Sequence, residues 1–152
     1  MATTAADYNW AGTSVPGGDI GCINTDVSTI TVGTVVIVDA TNSLTTTAFS
    51  GFSGGLPAPG VKIAGADAYA FGVAIENIAV GAQGRVRRLG VAVCNATAAV
   101  VTAGDVIKVG AAGAVLTNTA VSAKAQLGQA LNTTSGTAAD PVLVALDIAR
   151  NN

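Results

Sequence analysis

Read for groups that could do chemistry, this chain offers little. It contains no histidine, which removes the Ser–His and Cys–His pairs that activate nucleophiles and the common zinc ligand sets. Cys22 and Cys94 have no neighbouring base in the sequence and read as small buried thiols rather than as a disulfide. Glu76 is the single glutamate. With Asp67 or Asp105 it would form a carboxylate pair, although scattered acids in a chain of this kind are mostly solvated turn residues. Asp19, Asp26 and Asp39 lack the dense spacing of a calcium loop. Gly51-Phe52-Ser53-Gly54-Gly55 lacks the Lys-Ser/Thr of a phosphate loop and reads as a hinge. The expectation is a chain with no catalytic residue, no metal and no cofactor.

Groups suited to contact are easier to find. Arg85-Val86-Arg87-Arg88 gathers three of the seven basic residues. Residues two apart on a strand point the same way, so Arg85 and Arg87 could grip carboxylates of another protein bidentately. The plainer alternative is a solvated strand end. Arg88 points to the opposite face, where Glu76 on the partner arm of a hairpin would be its counter-ion. Tyr8 and Trp10 sit in a segment without core periodicity. They either fold back onto their own domain or dock on a neighbouring subunit. Phe49 and Phe52 lie in a long loop, which they would either cap over an open barrel end or present to a partner. Tyr8, Trp10, Phe49, Phe52, Arg85 and Arg87 are thus the candidate interface residues.

The elements that position these residues are strands. Half of the residues are hydrophobic, yet only 11% are charged and 4% aromatic. Ala, Val, Thr and Gly at this density suit strands and turns. Phe71 to Asn77, a turn over Ala79 to Gly84, and Arg85 to Val93 form a central hairpin. A weaker copy runs from Leu127 to Asn132, through a Thr/Ser/Gly loop, to Pro141–Leu146. Each hairpin is preceded by the same phrase, Thr-x-Gly-x-Val-x-x-Val, at Thr31 to Val38 and again at Thr102 to Val109. Residues Val109 to Val115 read as a tight reversal and Ser122 to Gln126 as a helical turn. The expected fold is all-β: a compact antiparallel barrel or sandwich built from two related strand–hairpin units. An N-terminal arm (residues 1–30) precedes one β domain (31–152) with a long loop at 41–60.

Val32 to Asp39 and Val142 to Ile148 carry apolar residues on both faces, so both strands are expected to be buried on two sides. That requires an unusually compact barrel or cover from another chain, and oligomerisation is expected. The net charge of −2 provides no basic face for nucleic acid. No apolar run approaches the roughly 18 to 20 residues of a membrane span. The N-terminal MATTAADYNW has no secretory-signal pattern.

Taken in order, these motifs resemble those of the capsid-cement, or head-decoration, proteins of tailed bacteriophages. The likeness rests on Thr31-Val32-Gly33-Thr34-Val35-Val36, the centre from Gly72 to Gly81, Gly84-Arg85-Val86 and Gly90-Val91. It continues with Thr102-Ala103-Gly104-Asp105 and Ile107-Lys108-Val109, then Leu127 to Leu131 and Val142 to Leu146. The resemblance implies a non-enzymatic β protein of the virion, assembled in the host cytoplasm. It would bind the major capsid protein on the outside of a phage head as a homotrimer and stabilise the shell. The arm and the Phe-containing loop are longer than that plan requires. A carbohydrate- or cell-surface-binding β module displayed on a virion is the alternative, and Phe49, Phe52, Tyr8 and Trp10 would have to supply its aromatic face.

Overall fold

A computed structural model describes residues 18–41, 58–119 and 126–148 of the chain. Ten strands are described: β1 (Asp19–Asn24), β2 (Val35–Val38), β3 (Gly60–Ile63), β4 (Gly72–Ala74), β5 (Gln83–Arg87), β6 (Leu89–Asn95), β7 (Val106–Val109), β8 (Val115–Thr117), β9 (Gln126–Ala130) and β10 (Pro141–Asp147). The first five close into a barrel in the order β1-β3-β2-β4-β5, and the last five form a sheet in the order β6-β10-β9-β7-β8.

These are two copies of one unit. Read from β3, the barrel runs β3-β2-β4-β5-β1, and from β8 the sheet runs β8-β7-β9-β10-β6. The equivalence extends to single hydrogen bonds. Gly33 N–H donates to Ala74 O, as Gly104 N–H does to Ala130 O, each at 2.8 Å. Gly81 N–H donates to Asn24 O, as Ala139 N–H does to Ala96 O, again at 2.8 Å. Gly33 and Gly104 both have positive φ, +83° and +95°. This is why the phrase Thr-x-Gly recurs: glycine reaches that backbone region without the Cβ clash. Cys22 and Cys94 occupy equivalent places, opposite Gly84 and Val142 respectively. The units differ in closure. Parallel pairing of β1 with β3 seals the first, whereas in the second only the parallel bridge Ala96–Val115 joins the corresponding edges.

The first unit covers that opening. Asn95 N–H donates to Gly33 O, the Asn95 amide donates to Val32 O, and Gly113 N–H donates to Ala64 O at 2.8 Å. At Val35 and Val36 β2 is consequently dry on both faces within a single chain, while Ile37 is half-buried and Val38 is exposed. Val36 points into the barrel core with Cys22, Ile30, Val61, Ala74, Ile78 and Val86. Val35 points the other way, into a core shared with Val73, Ile107, Leu127, Val142 and Val144. At roughly 1.5 to 3 kcal/mol for each fully buried aliphatic side chain, this packing is what holds the two units together.

Several expectations are corrected here. Residues 19–30 are not part of an arm, since β1 closes the barrel and Ile30 is fully buried; only residues 1–17 precede the described chain. Arg85 to Val93 is not one strand, because the backbone breaks at Arg88 and passes from barrel to second sheet. β10 is not buried on both faces. Val142, Val144, Leu146 and Ile148 face the core while Leu143 is exposed, so its apolar outer face is left open. The Val109–Val115 reversal is present, closed by Gly110 N–H to Ala114 O at 2.7 Å around a single 3-10 turn, Ala111–Gly113. Gln126, placed in a helical turn by the sequence pattern, instead opens β9.

Candidate functional site

The arginine cluster spans the joint between the two units, and its three members do three different things. Asp19 and Arg87 are direct cross-strand partners. The Arg87 Nε donates to Asp19 Oδ1 at 2.8 Å and Nη2 to Asp19 Oδ2 at 3.1 Å, while Nη1 donates to Val91 O at 2.8 Å. Arg87 is only 8% exposed. Arg87 thus uses its bidentate geometry within the chain, on Asp19 of β1. Arg85 is exposed and meets Glu76 at 3.4 Å, a loose surface pair. Arg88, expected opposite Glu76, instead donates from Nε to Phe71 O at 3.0 Å and lies 5.0 Å from the centre of the Phe71 ring. Tyr8, Trp10, Phe49 and Phe52 lie outside the described residues.

The acids are likewise occupied one by one. Asp67 takes an ion pair from Lys108 at 2.9 Å, and Asp39 accepts from the Thr25 hydroxyl at 2.8 Å. Asp105 accepts from Thr102 N–H at 2.9 Å and from the Thr117 hydroxyl at 2.7 Å. These hydrogen bonds, the backbone one first, hold its carboxyl below the usual carboxylate range. Asp140 is lowered in the same way by the Ser135 hydroxyl and backbone N–H. Glu76 is thus paired with Arg85 rather than with Asp67 or Asp105. Among the described residues no group of three His, Cys, Asp or Glu could hold a metal ion. Cys22 and Cys94 are free and buried. Burial pushes Cys94 up to about 12, and burial followed by the Glu76 charge pushes Cys22 up to about 11. Such thiols are poor nucleophiles.

What the molecule does present is a surface for contact, and the internal repeat shows where. In the first unit, β1, β5, β4 and β2 place Asp19, Arg87, Val73 and Val35 in one row across the barrel wall. That row is covered, with Val73 and Val35 fully buried against the second unit. The equivalent row in the second unit is Val91, Ala145, Gln129 and Val106; Val91 and Ala145 are half-buried, Gln129 and Val106 are exposed, and among the described residues no second unit packs over them. Val106 is 40% exposed. Beside the row, Leu143 faces Val93, and they are 41% and 47% exposed. Sequence reading did not single out these residues. Alternation along β10, with Leu143 and Ala145 between Val142, Val144 and Leu146, was the available signal, masked because both faces are apolar.

A β protein whose ionisable groups hold its own frame, and whose open feature is an apolar sheet face, belongs among proteins that work by contact. The chain is a member of the phage cement protein family, whose model matches residues 57–146. It is accordingly a capsid-associated structural protein of a bacteriophage. Among solved structures it is similar to the head fiber gp8.5 N base of bacteriophage phi29, with a TM-score of 0.59 at 13% identity. That match covers 86% of this chain and 95% of the other. At this identity the likeness is one of fold. No curated protein matches the chain.

Proposed function

We propose that the chain decorates the outer surface of the phage head, binding the major capsid protein and stabilising the shell. The observation that carries this reading is the uncovered row Val91–Ala145–Gln129–Val106, flanked by Leu143 and Val93. The first unit uses the same row as a packing face, and in the second no described residues pack over its exposed members, Gln129 and Val106.

The mechanism is physical. Burying the row against a shell subunit contributes roughly 25 cal/mol per Å² before the cost of association is subtracted. Arg85, exposed and only loosely paired, adds a charge that can meet shell carboxylates, and Phe49 and Phe52 of the 42–57 segment add apolar contact. A homotrimer engaging several shell subunits at once gains further by multivalency. Each bridge raises the barrier to separating neighbouring shell proteins, and assembly onto heads takes place in the host cytoplasm.

Co-sedimentation with expanded empty heads tests the reading. The protein pellets with heads, and decorated heads withstand a higher temperature than bare ones. Recovery of all the protein in the supernatant at saturating heads would overturn it.

A further inference from the structure

A groove of about 420 Å³ opens at the barrel end beside the arginine cluster, lined by Ile37 and Val38 of β2, by Ala68 to Phe71, and by Arg88. Its size falls in the range of about 300–1,000 Å³ typical of specific binding clefts. Its floor is aromatic. Phe71 packs against the barrel core, and Tyr69, two residues earlier, is 57% exposed. Val38 is exposed as well. Arg88 is the one charged residue among these seven. Its Nε is committed to Phe71 O, while its two Nη groups have no partner among the described residues. An apolar trough with two aromatic rings and one free guanidinium edge suits a segment carrying aromatic side chains next to a carboxylate.

Such a segment lies at the groove's own edge. The described chain begins at Gly18, and Gly18 O accepts the Arg88 backbone N–H at 2.6 Å. Residues 1–17 therefore join the domain at the arginine that lines the groove. They contain Asp7, Tyr8 and Trp10, and Asp7 is their only charged side chain. Trp10 is eight residues from Gly18, a reach of up to about 26 Å at roughly 3.3 Å per residue. A tether this short holds the segment near the groove at an effective concentration on the order of millimolar. The other undescribed segment near β2, residues 42–57, also carries aromatics, Phe49 and Phe52, but no charged residue that would answer Arg88.

We propose that the groove formed by β2, Tyr69, Phe71 and Arg88 is the docking site of this chain's own N-terminal segment. Tyr8 and Trp10 lie over the aromatic floor, and Asp7 pairs with the Arg88 guanidinium. Of the two outcomes that sequence leaves open for the arm, folding back onto its own domain is the one that the anchoring of Gly18 beside Arg88 favours.

Trp10 is the only tryptophan, so the full-length protein reports on itself. Its emission is expected at short wavelength and protected from acrylamide, with both properties unchanged on dilution. Arg88→Ala and Tyr69→Ser each shift the emission to longer wavelength and remove the protection. Asp7→Asn, a substitution outside the β domain, shifts it in the same direction and has little further effect in the Arg88→Ala background. A wild-type Trp10 quenched as freely as N-acetyltryptophanamide overturns the proposal, as does an Asp7→Asn spectrum identical to wild type. Protection that disappears on dilution also overturns it, because the segment would then sit on a second copy.

Discussion

Arg87 and Asp19 face each other across the seam where β1 closes the barrel onto β5, joined by two hydrogen bonds of 2.8 and 3.1 Å. The strands meet here with both side chains largely covered. Removing one partner leaves a covered charge without that counter-ion, which typically costs about 3–5 kcal/mol. Asp19→Ala and Arg87→Ala are each expected to destabilise by about 3 kcal/mol at this partly covered site. In urea denaturation the double change should cost clearly less than the sum of the two. Arg85→Ala, at the exposed loose pair, should stay within about 0.5 kcal/mol of wild type.

The internal repeat predicts a pair of opposite substitutions. Gly81 and Ala139 hold equivalent positions with φ of +73° and +65°, and at Gly81 an added Cβ meets nothing within 4 Å. Backbone conformation alone therefore decides the effect. Gly81→Ala is expected to cost about 1 kcal/mol, and Ala139→Gly to gain a part of that because glycine loses more entropy on folding. Thermal midpoints of the two variants should move in opposite directions.

Gly113 marks the join between the units. A Cβ there would lie 2.5 Å from Thr34 Cγ2 and 2.7 Å from the Val35 carbonyl oxygen, and its φ is +70°. Gly113→Ala combines a backbone clash with an unfavourable conformation, so a loss of about 2–3 kcal/mol is expected. Hydrogen exchange should show the loss in amides of both units, since the join serves both cores. A loss confined to β7 and β8 would show that the join is not cooperative.

The two thiols give a pH dependence. Their ordinary value is near 9, and burial raises them to about 11 and 12 in the fold. The folded state thus binds more protons than the unfolded state between these values. The resulting stability is fully present below pH 9 and is lost as pH rises toward 11 and 12, with a slope of up to about 1.4 kcal/mol per pH unit for each thiol. Cys22→Ser and Cys94→Ser should flatten stability above pH 9, measured as urea midpoints. Native protein at pH 8 should resist maleimide labelling that proceeds once it is unfolded.

The open row of the second sheet should matter for contact and little for folding. Val93→Asp with Leu143→Asp places two carboxylates opposite each other on that face. The expected outcome is loss of co-sedimentation with heads and of any self-association seen by light scattering. The thermal midpoint should change modestly, because both side chains are already partly solvated. Unimpaired binding to heads by this variant would exclude the face.

Composition and local pattern were enough for the fold class and for the duplication. Thr-x-Gly-x-Val-x-x-Val recurs because each unit needs a positive φ ahead of its strand, a requirement of a few consecutive residues. The two hairpins were legible for the same reason. β1 was not, because DIGCIN carries an acid, a glycine, a cysteine and an asparagine and acquires its strand character only by pairing with β5. The loose ion pair of Arg85 and the internal one of Arg87 also look alike in sequence, two residues apart on one strand.

The sequence by itself determined an all-β chain of two related units, poor in reactive groups, with apolar residues on both sides of several strands. Tertiary structure alone decided which of those faces are dry. Val35 and Val106 are equivalent valines in equivalent strands, yet one is sealed against the second unit and the other is open. The same step from barrel to second sheet at Arg88 turned Arg87 inward to Asp19 and set Arg88 over Phe71. Strand alternation is a local property, whereas the cover over a face comes from residues distant in the chain, and contacts of that kind leave no periodic trace in the sequence.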